Sequence, residues 1–526
     1  MIPPHHIFKE ERALVLETSD PAFVLKNVPT AFQLTPTIVG MPHNVENTAR
    51  LAVMGVQVDS PIQHYYNWPC DRVQYKNLFE HTKVTAGFLV SNPHSYCLNA
   101  IGTMKTISAL WAADYLISIG IARRVLIVAP MESLERAWGD TLFIHLTHRT
   151  FNVLHGTAEK RRKLLAQPKD FYIINPDGLT VIQKELAARD DLDIYLIDEL
   201  ADFRNKTNFW KALDSLIYPD KRPPIPWVWG LTATPRPQKA TDPYYQCRLV
   251  TPTTVPKFFS QFRALVQSHE SQYIWIDRPE SQQIIYQCMR PAIRYTRDQC
   301  LDLPGEVYSA LDAEMSTEQT KHYKEIMRDL FTEIQGGRIS AVNEGVKRSK
   351  LLQIACGVVY DTNGLPHEID AGTRIEVLLR TIERTDEKVI VFVPFTEVTN
   401  TLYRKVSKHW SCAIVYGDVS RKERDQIFSD FQNKPDPSVL IAHPECMSRS
   451  LTLTEASTII WYAPVDSNYT YEQACGRITR QGQKYVANII HIGGSAIERK
   501  MYKRLQERQS TQGALLEMIQ KGESPL

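Results

Sequence analysis

The sequence predicts an α/β protein with two parallel β-sheets, one after the other along the chain. Short apolar runs alternate with helical stretches over most of its 526 residues, and this alternation is typical of parallel sheets. The runs are mostly continuous in apolar residues and do not alternate with polar ones, as expected for strands that helices cover on both faces. Because a chain of this length exceeds one ordinary hydrophobic core, we expect two large domains with smaller additions.

Each predicted sheet is built from five apolar runs. The strands of the first sheet are Tyr96–Ala100, Val125–Ala129, Phe171–Ile174, Ile194–Ile197 and Val228–Leu231. The strands of the second sheet are Val389–Val393, Ala413–Tyr416, Val439–Ala442, Thr458–Tyr462 and Asn488–Ile492.

The predicted organisation has four parts. They are a small N-terminal accessory region at 1–70, a first α/β domain at 71–252, a mainly helical insertion or linker at 253–350 and a second α/β domain at 351–526. The accessory region is rich in proline and contains one helical candidate, Val45–Met54. The second domain is expected to end in a helix over Ala496–Gln520.

Composition excludes several classes of protein. The formal net charge is only +2, so any basic surface for nucleic acid must be local. The nine cysteines are scattered and form no Cys-x-x-Cys pair, which argues against a disulfide framework and against a zinc ribbon. The N-terminus lacks the pattern of a secretory signal, and no apolar run reaches the roughly 18 residues of a membrane span. We therefore expect a cytoplasmic protein without membrane association.

A candidate phosphate-binding loop follows the first predicted strand. It consists of Gly102, Thr103, Met104, Lys105 and Thr106. Strand, Gly-x-x-Lys-Thr loop and helix are the layout in which backbone N–H groups and a helix N-terminus hold phosphate oxygens. Lys105 would reach the β- and γ-phosphates of ATP, and the Thr106 hydroxyl would bind Mg²⁺. Met104 stands where a glycine is usual, and an ordinary surface Lys-Thr pair at a helix start is the alternative.

Two further segments end predicted strands of the same sheet. Asp198 and Glu199 follow an apolar strand, and ligands of open α/β sheets bind at that edge. Asp198 would hold Mg²⁺, and Glu199 would orient the attacking water. Thr232 and Thr234 end the next strand and are candidates for coupling the acidic pair to a nucleic-acid path. The alternatives are a solvated Asp-Glu pair and a threonine-rich turn.

An arginine-bearing segment is the most specific pattern in the chain. Gln473, Arg477 and Arg480 have the i, i+4, i+7 spacing that predicts one shared helix face. Arginine binds phosphoryl oxygens through two donors and stays charged. The pattern therefore predicts an arginine contact to ATP, and a solvated basic helix face is the alternative.

In this order the segments resemble the motifs of superfamily-two helicases, and within them the Swi/Snf-type branch. The matching motifs are I at Gly102–Thr106, Ia at Ala129–Pro130 with Trp138, II at Asp198–Ala201, III at Thr232–Pro235, IV at Val389–Phe395, V at Ser448–Leu453 and VI at Gln473–Gln483. The segment Arg290–Tyr295 resembles the branch's linker into its second lobe. Serines replace the usual glycines of motif V. The chain looks most like compact phage-encoded members, which would place it in the host cytoplasm.

The resemblance implies two tandem RecA-like domains with ATP and Mg²⁺ bound between them. The catalytic set would be Lys105, Asp198, Glu199, Arg477 and Arg480, and His81, Gly102, Thr103, Met104, Thr106 and Gln473 would complete the ATP site. His81 lies in the segment that reads adenine, but Thr82 replaces the glutamine that is usual there.

The resemblance also implies DNA contacts at motifs Ia, IV and V, for which Pro130, Phe395 and Thr452 are the candidates. Basic clusters at Lys160–Lys163 and at Lys347–Lys350 could add contacts or could simply be solvated. The predicted function is a DNA-dependent ATPase that acts as a helicase or translocase on single-stranded, duplex or branched DNA, and RNA stays open as a partner. A duplex translocase without strand separation is one alternative, and a non-catalytic DNA-binding scaffold with a decayed ATP site is another.

Overall fold

The computed structural model describes residues 5–69, 80–235, 239–271, 274–300, 304–334, 337–340, 344–447, 451–480 and 482–507. The chain divides into two compact units, with the division between Cys300 and Leu301. This division lies inside the predicted insertion at 253–350. Each unit contains one large parallel sheet, so the predicted fold class of two tandem parallel α/β domains is confirmed.

The N-terminal region forms a small antiparallel sheet with three helices. Its elements are β1 His5–Phe8, β2 Ala13–Glu17, α1 Pro21–Asn27, β3 Phe32–Thr35, β4 Ile38–Pro42, α2 Val45–Val53 and α3 Pro61–Tyr65. The strand order is β1-β2-β4-β3. Leu14, Leu16, Val39 and Met41 point to one side of this sheet and form its core. The predicted helix in this region is confirmed as α2, which Asn44 caps through its side chain.

The first unit continues with the elements that build the larger sheet. They are α4 Glu80–Ser91, β5 His94–Cys97, α5 Lys105–Ser118, β6 Arg124–Val128, α6 Asp140–His145, β7 Phe151–Val153, α7 Ala158–Ala166, β8 Phe171–Ile174, α8 Pro176–Val181, α9 Gln183–Ala187, β9 Leu192–Asp198, α10 Asn208–Ile217, β10 Trp227–Leu231, α11 Pro243–Val250, α12 Phe259–Val266, β11 Gln267–Ser271, β12 Ile274–Asp277, α13 Ser281–Cys288, β13 Ala292–Ile293 and α14 Arg297–Cys300.

The sheet of the first unit has seven parallel strands in the order β13-β5-β10-β9-β6-β8-β7. All five predicted strands are present. Along β6, Leu126 and Val128 belong to one apolar cluster, whereas Val125 and Ile127 belong to another. Both faces of the strand are therefore covered, which explains its continuously apolar sequence. The two edge strands, β7 and β13, are three and two residues long and partly exposed, so they have no such sequence pattern.

The second unit has the same kind of architecture. Its elements are β14 Glu306–Asp312, α15 Thr317–Asp329, β15 Phe331–Ile334, β16 Gly337–Ser340, α16 Glu344–Cys356, β17 Val358–Tyr360, β18 Pro366–Glu368, α17 Gly372–Glu383, β19 Lys388–Phe392, α18 Thr396–Val406, β20 Cys412–Val415, α19 Arg421–Asn433, β21 Val439–Ala442, β22 Ala456–Trp461, α20 Asn468–Cys475, β23 Ala487–Gly493 and a last helix, α21, over 496–507. Its six-stranded parallel sheet has the order β14-β23-β22-β19-β21-β20.

The predicted mainly helical insertion at 253–350 also contains strands. The segments β11 to β16 lie within it, and β14 is an edge strand of the second sheet. Six of the seven residues of β14 are exposed, so the strand lacks the apolar run by which strands were predicted. The remainder of the predicted C-terminal helix beyond 507 lies outside the described residues.

A buried ion pair fixes the end of the second sheet. Arg374 of α17 donates to Glu498 of α21 at 2.6 Å, and their side chains are 2% and 0% exposed. Arg374 also donates to the carbonyl oxygens of Tyr462 and Ile492, which follow β22 and lie in β23. The last helix is thereby fixed to the carboxyl edge of the sheet.

The described residues give two further observations. No helix among them is both long and apolar enough to cross a membrane. The cysteines that the structure describes are free thiols.

Candidate nucleotide site and nucleic-acid contacts

The predicted site residues of the first unit follow strands that end in one row. Leu231 of β10 lies in register with Cys97 of β5 on one side and with Asp198 of β9 on the other. On the far side of β9, Val128 at the end of β6 pairs with Ile197. The candidate phosphate loop, the acidic pair, the threonine segment and Pro130 therefore meet at one carboxyl edge, where α/β sheets bind ligands.

The candidate phosphate loop turns directly into α5. Lys105 is the first residue of this helix, and Thr106 is in its first turn. Gly102 and Met104 both have positive φ, 83° and 60°. The buried Thr103 hydroxyl donates to the carbonyl of Ala100 at 2.7 Å. A left-handed backbone before the lysine is the conformation that the usual glycine adopts without strain.

Lys105 is close to the acidic pair. Its ammonium group donates to the carbonyl oxygens of Asn99 and Ala100 at 2.9 and 3.1 Å. Part of the residue surface is exposed, but protein atoms enclose the ammonium group, and this burial lowers its pKa. The charges of Glu199 and Asp198 act in the opposite direction and favour the protonated form. One cation and two carboxylates thus share one edge of the sheet.

Each oxygen of the Asp198 carboxylate accepts a hydrogen bond. Oδ1 accepts from the backbone N–H of Glu199 at 3.0 Å, and Oδ2 accepts from the indole N–H of Trp138 at 2.9 Å. A carboxylate has further lone pairs for a metal ion. Mg²⁺ in phosphate-transfer sites binds one or two protein oxygens together with substrate phosphates. Thr106 and Asp198 supply oxygen donors of this kind, so the donor set fits Mg²⁺.

The threonine segment is buried at the same edge. The hydroxyl of Thr232 accepts from the backbone N–H of Thr234 at 3.2 Å, and both residues are 1% exposed. The hydroxyl of Thr234 has no hydrogen-bond partner among the described residues. The backbone N–H of Thr232 donates to the carbonyl of Cys97, which ends β5. This hydrogen bond links the threonine segment to the strand that carries the phosphate loop.

The segment 292–297 also surrounds the phosphate loop. The backbone of Tyr295 accepts from the N–H of Ala100 at 2.9 Å and donates to the side chain of Asn99 at 2.9 Å. Arg294 donates to the carbonyl of Leu98, and Arg297 donates to that of Ile101 at 3.3 Å. From sequence this segment resembles only a linker, because a two-residue strand leaves no apolar pattern.

His81 contacts the same loop from α4. Its Nε2 lies 3.2 Å from the carbonyl oxygen of Thr103, and its ring centre lies 5.6 Å from that of Tyr295. Burial lowers the pKa of His81, although the hydrogen bond with Thr103 opposes this effect. Thr82 is fully buried. The predicted adenine contact at His81 is therefore adjacent to the loop that would hold phosphates.

The predicted arginine helix needs a correction. Helix α20 ends at Cys475, and residues 476–480 form turns. Arg477 N–H donates to the carbonyl of Ala474 at 3.2 Å, a tighter i to i+3 pattern that ends the helix. The side chain of Gln483 donates to the carbonyls of Ile478 and Ala456 and holds this turn in place. The three predicted residues are thus not on one helix face.

Gln473, Arg477 and Arg480 nevertheless lie together. Arg477 donates to the side-chain oxygen of Gln473 at 2.6 Å and to the carbonyl of Leu451 at 3.3 Å. Arg480 donates to the hydroxyl of Thr452 at 3.3 Å. Arg477 is 0% exposed, whereas Arg480 is partly exposed. Arg477 is therefore a buried residue of the second unit, and Arg480 is the more accessible of the two arginines.

The remaining candidate contacts differ in their surroundings. Pro130 is buried after β6, and Phe395 is half-buried directly before α18. Ser448 to Ser450, the serines of predicted motif V, lie outside the described residues. In the first basic cluster, Arg161 is buried and donates to the carbonyl of Gly156 at 2.9 Å. The cluster is therefore partly structural.

Other basic side chains of the two clusters have local partners. Arg162 pairs with Glu185 at 2.5 Å, and Arg348 pairs with Asp466 at 3.0 Å. Lys350 donates to the carbonyl of Tyr360 at 2.6 Å. These contacts favour local pairing over a dedicated phosphate-binding surface.

Comparison with known proteins adds a family match in the second unit. Residues 373–482 match the family "Helicase conserved C-terminal domain". The DNA repair and recombination protein RAD54B of Mus musculus is 25% identical over 204 residues, which is 37% of this chain and 23% of that protein. Protein p41 of Acyrthosiphon pisum secondary endosymbiont phage 1 is 21% identical over 442 residues, which is 80% of this chain and 92% of that protein.

A solved structure also matches most of the chain. The SWI2/SNF2 ATPase core of Sulfolobus solfataricus in complex with dsDNA covers 85% of this chain and 94% of its own, with 19% identity and a TM-score of 0.41. The chain spans about a quarter of the length of RAD54B and of YwqA from Bacillus subtilis (strain 168). The family match and the relatives agree with the motifs, and the predicted resemblance is confirmed.

Proposed function

We propose that this chain, a superfamily-two helicase relative of the Swi/Snf type, hydrolyses ATP to move along DNA. The observation that carries the proposal is the row formed by Cys97, Leu231 and Asp198, because it gathers the phosphate loop and the acidic pair at one edge. A cation for phosphates and a carboxylate for water are the groups that ATP hydrolysis requires.

Each site residue has a proposed role. Lys105 binds the β- and γ-phosphates, and the backbone of the loop from Gly102 holds their oxygens. Thr106 and Asp198 hold Mg²⁺, which when bound offsets the negative charge of the phosphates. Glu199 orients the attacking water and accepts its proton. Arg477 and Arg480 are proposed phosphate contacts on chemical grounds, and Arg480 is the more accessible of the two.

The proposed substrate is DNA bound through its backbone. Contacts to phosphates carry little sequence information, so we expect low sequence specificity. Pro130, Phe395 and Thr452 are the proposed contact positions, and Thr232 with Thr234 would couple them to the acidic pair. RAD54B is named a DNA repair and recombination protein. Another relative, ddx46 of Dictyostelium discoideum, is named an RNA helicase, so RNA belongs in the test.

The test is ATP hydrolysis by the purified full chain without nucleic acid and with single-stranded DNA, duplex DNA, forked DNA or RNA. We expect one DNA form to stimulate hydrolysis strongly. Lys105→Ala removes the cation that binds the phosphates. Glu199→Gln removes the general base, a group that contributes about 10²–10⁴-fold. Each variant should therefore lose most of the stimulated rate. If the chain binds DNA but hydrolyses ATP with none of these nucleic acids, the proposal is contradicted. That result would favour the non-catalytic scaffold with a decayed ATP site.

A second assay pair separates helicase from translocase activity. A forked duplex reports strand separation, and a triplex on duplex DNA reports movement without separation. Displacement of the triplex strand alone would identify a duplex translocase. Displacement from the fork that requires Glu199 would identify a helicase.

A further inference from the structure

The hydrogen bond from Trp138 to Asp198 joins two segments with different predicted roles. Trp138 is 0% exposed and lies in a six-residue π-helical turn, Leu134–Gly139. This turn follows a short 3₁₀ turn that begins directly after Pro130, the proposed DNA contact. Such π-helical turns are rare and are frequently found at functional sites.

The Trp138 indole fixes the orientation of the candidate metal ligand. One oxygen of Asp198 is held by the N–H of its own neighbour, Glu199, and the other is held by Trp138. The backbone N–H of Glu199 is adjacent to Asp198 in the chain, so it moves together with the carboxylate. Trp138 lies in a separate element, so its indole holds the carboxylate relative to the rest of the unit. A donor of this kind sets the angle at which a carboxylate presents its remaining lone pairs to a metal ion.

We propose that Trp138 is a positioning residue for Mg²⁺ binding by Asp198, and that it makes this geometry depend on the segment after Pro130. The inference rests on the proposed function and adds to it a residue that acts through Asp198. Trp138 itself touches neither nucleotide nor metal in this proposal.

The chain offers a matched control for packing. Trp111 is also 0% exposed and belongs to the same apolar cluster as Trp138. Its indole N–H has no hydrogen-bond partner among the described residues. Trp138→Phe and Trp111→Phe delete the same atoms, but only Trp138→Phe removes a hydrogen bond to the carboxylate.

The experiment measures binding of a fluorescent, non-hydrolysable ATP analogue to the full chain as Mg²⁺ is titrated. For Trp138→Phe we expect the Mg²⁺ concentration at half-maximal binding to rise by about ten- to a hundredfold, the usual loss when a ligand's hydrogen-bond partner is removed. Trp111→Phe should stay within about twofold of the wild type. Equal shifts in both variants, or no shift in Trp138→Phe, would overturn the inference.

A second measurement keeps the inference testable if Trp138→Phe fails to fold. The indole ¹⁵N–¹H resonance of Trp138 should move on Asp198→Asn, because the acceptor loses its charge, and should move far less on Glu199→Gln. An indole resonance whose chemical shift is the same in Asp198→Asn and in the wild type would refute the hydrogen bond between Trp138 and Asp198. If the wild-type chain binds no analogue at any Mg²⁺ concentration, both this inference and the proposed function are wrong; wild-type binding with an unshifted variant contradicts this inference alone.

Discussion

Met104 and Glu199 share a left-handed backbone conformation, with φ of 60° and 50°, although neither is glycine. The first directly precedes Lys105, and the second directly follows Asp198. A left-handed conformation costs a residue with a Cβ atom roughly 1–2 kcal/mol. Such residues persist where the surrounding structure imposes them, and they cluster at active sites. The backbone of the candidate site is therefore held under strain at both of its key segments.

The strain at Met104 predicts an unusual order of stabilities. In a helix interior, a glycine variant is less stable than the corresponding alanine variant. At a position with φ of 60°, this order should reverse. We expect Met104→Gly to be more stable than Met104→Ala by about 1 kcal/mol. Both variants lose the methionine side chain, so their difference isolates the backbone. Urea unfolding measures it, and a less stable glycine variant would show that the loop relaxes without strain.

Arg477 and Arg480 should respond differently to truncation. Arg477→Ala leaves the Gln473 oxygen and the Leu451 carbonyl without their buried donor, which costs roughly 1–3 kcal/mol for each group. Arg480→Ala should change the free energy of unfolding by less than about 1 kcal/mol, because the residue is partly exposed.

The rate of ATP hydrolysis should also distinguish the Arg480 variant from the Arg477 variant. If Arg480 contacts the transferred phosphate, Arg480→Ala lowers kcat by about 10³-fold or more. The variant Arg480→Lys should have a similarly low kcat, because lysine lacks the planar, two-donor geometry of arginine. An Arg480→Ala variant with unchanged kcat would refute the phosphate contact. Thermal unfolding of each variant provides the control for stability.

The fold was predictable where strands are buried on both faces. All ten predicted strands are present, and nine of them lie inside the two sheets between neighbouring strands. Strands that helices cover on both faces need apolar residues at most positions. Edge strands do not, and β14 with its exposed residues could not be predicted in this way. The hairpin β15–β16 was missed for the same reason, since Phe331 and Glu333 are exposed.

The sequence identifies candidate residues of the site, but it does not predict which of their side chains contact one another. The motifs predicted Lys105, Asp198 and Glu199 from local sequence. Trp138 and Asp198 are 60 residues apart in the chain, and only the pairing of β6 with β9 brings them together. The end of helix α20 at Cys475 likewise depends on the side chain of Gln483, which binds the turn from outside the helix.

The contacts of Arg294 predict an effect on ATP affinity. Its guanidinium donates to the Leu98 carbonyl beside the phosphate loop. Arg294→Met keeps an apolar stem but removes this contact, so we expect KM for ATP to rise by about tenfold with little change in kcat. Arg297→Met should have a smaller effect, because its contact to the Ile101 carbonyl at 3.3 Å is longer than a usual N–H···O hydrogen bond. A fall in kcat with unchanged KM would contradict this role.

The buried pair of Arg374 and Glu498 predicts a non-additive pattern of stability. Removal of one partner leaves an uncompensated buried charge, so Arg374→Met or Glu498→Leu alone should cost about 3–5 kcal/mol. The double variant leaves no charge and should be more stable than either single variant. Urea unfolding of the three variants measures the coupling. Additive losses would show that the two charges do not interact.

The same pair predicts the acid sensitivity of the second unit. Burial opposes ionisation of Glu498, but the charge of Arg374 and hydrogen bonds from Arg374, Gly494 and Ser495 outweigh it, and the pKa of Glu498 is lowered. A lowered pKa in the folded state contributes stability that is complete above the unfolded value of about 4.3 and is lost as pH falls through the folded value. We therefore expect wild-type stability to fall below about pH 4 more steeply than that of the double variant. Equal slopes for the two proteins in acid unfolding would show that Glu498 does not contribute.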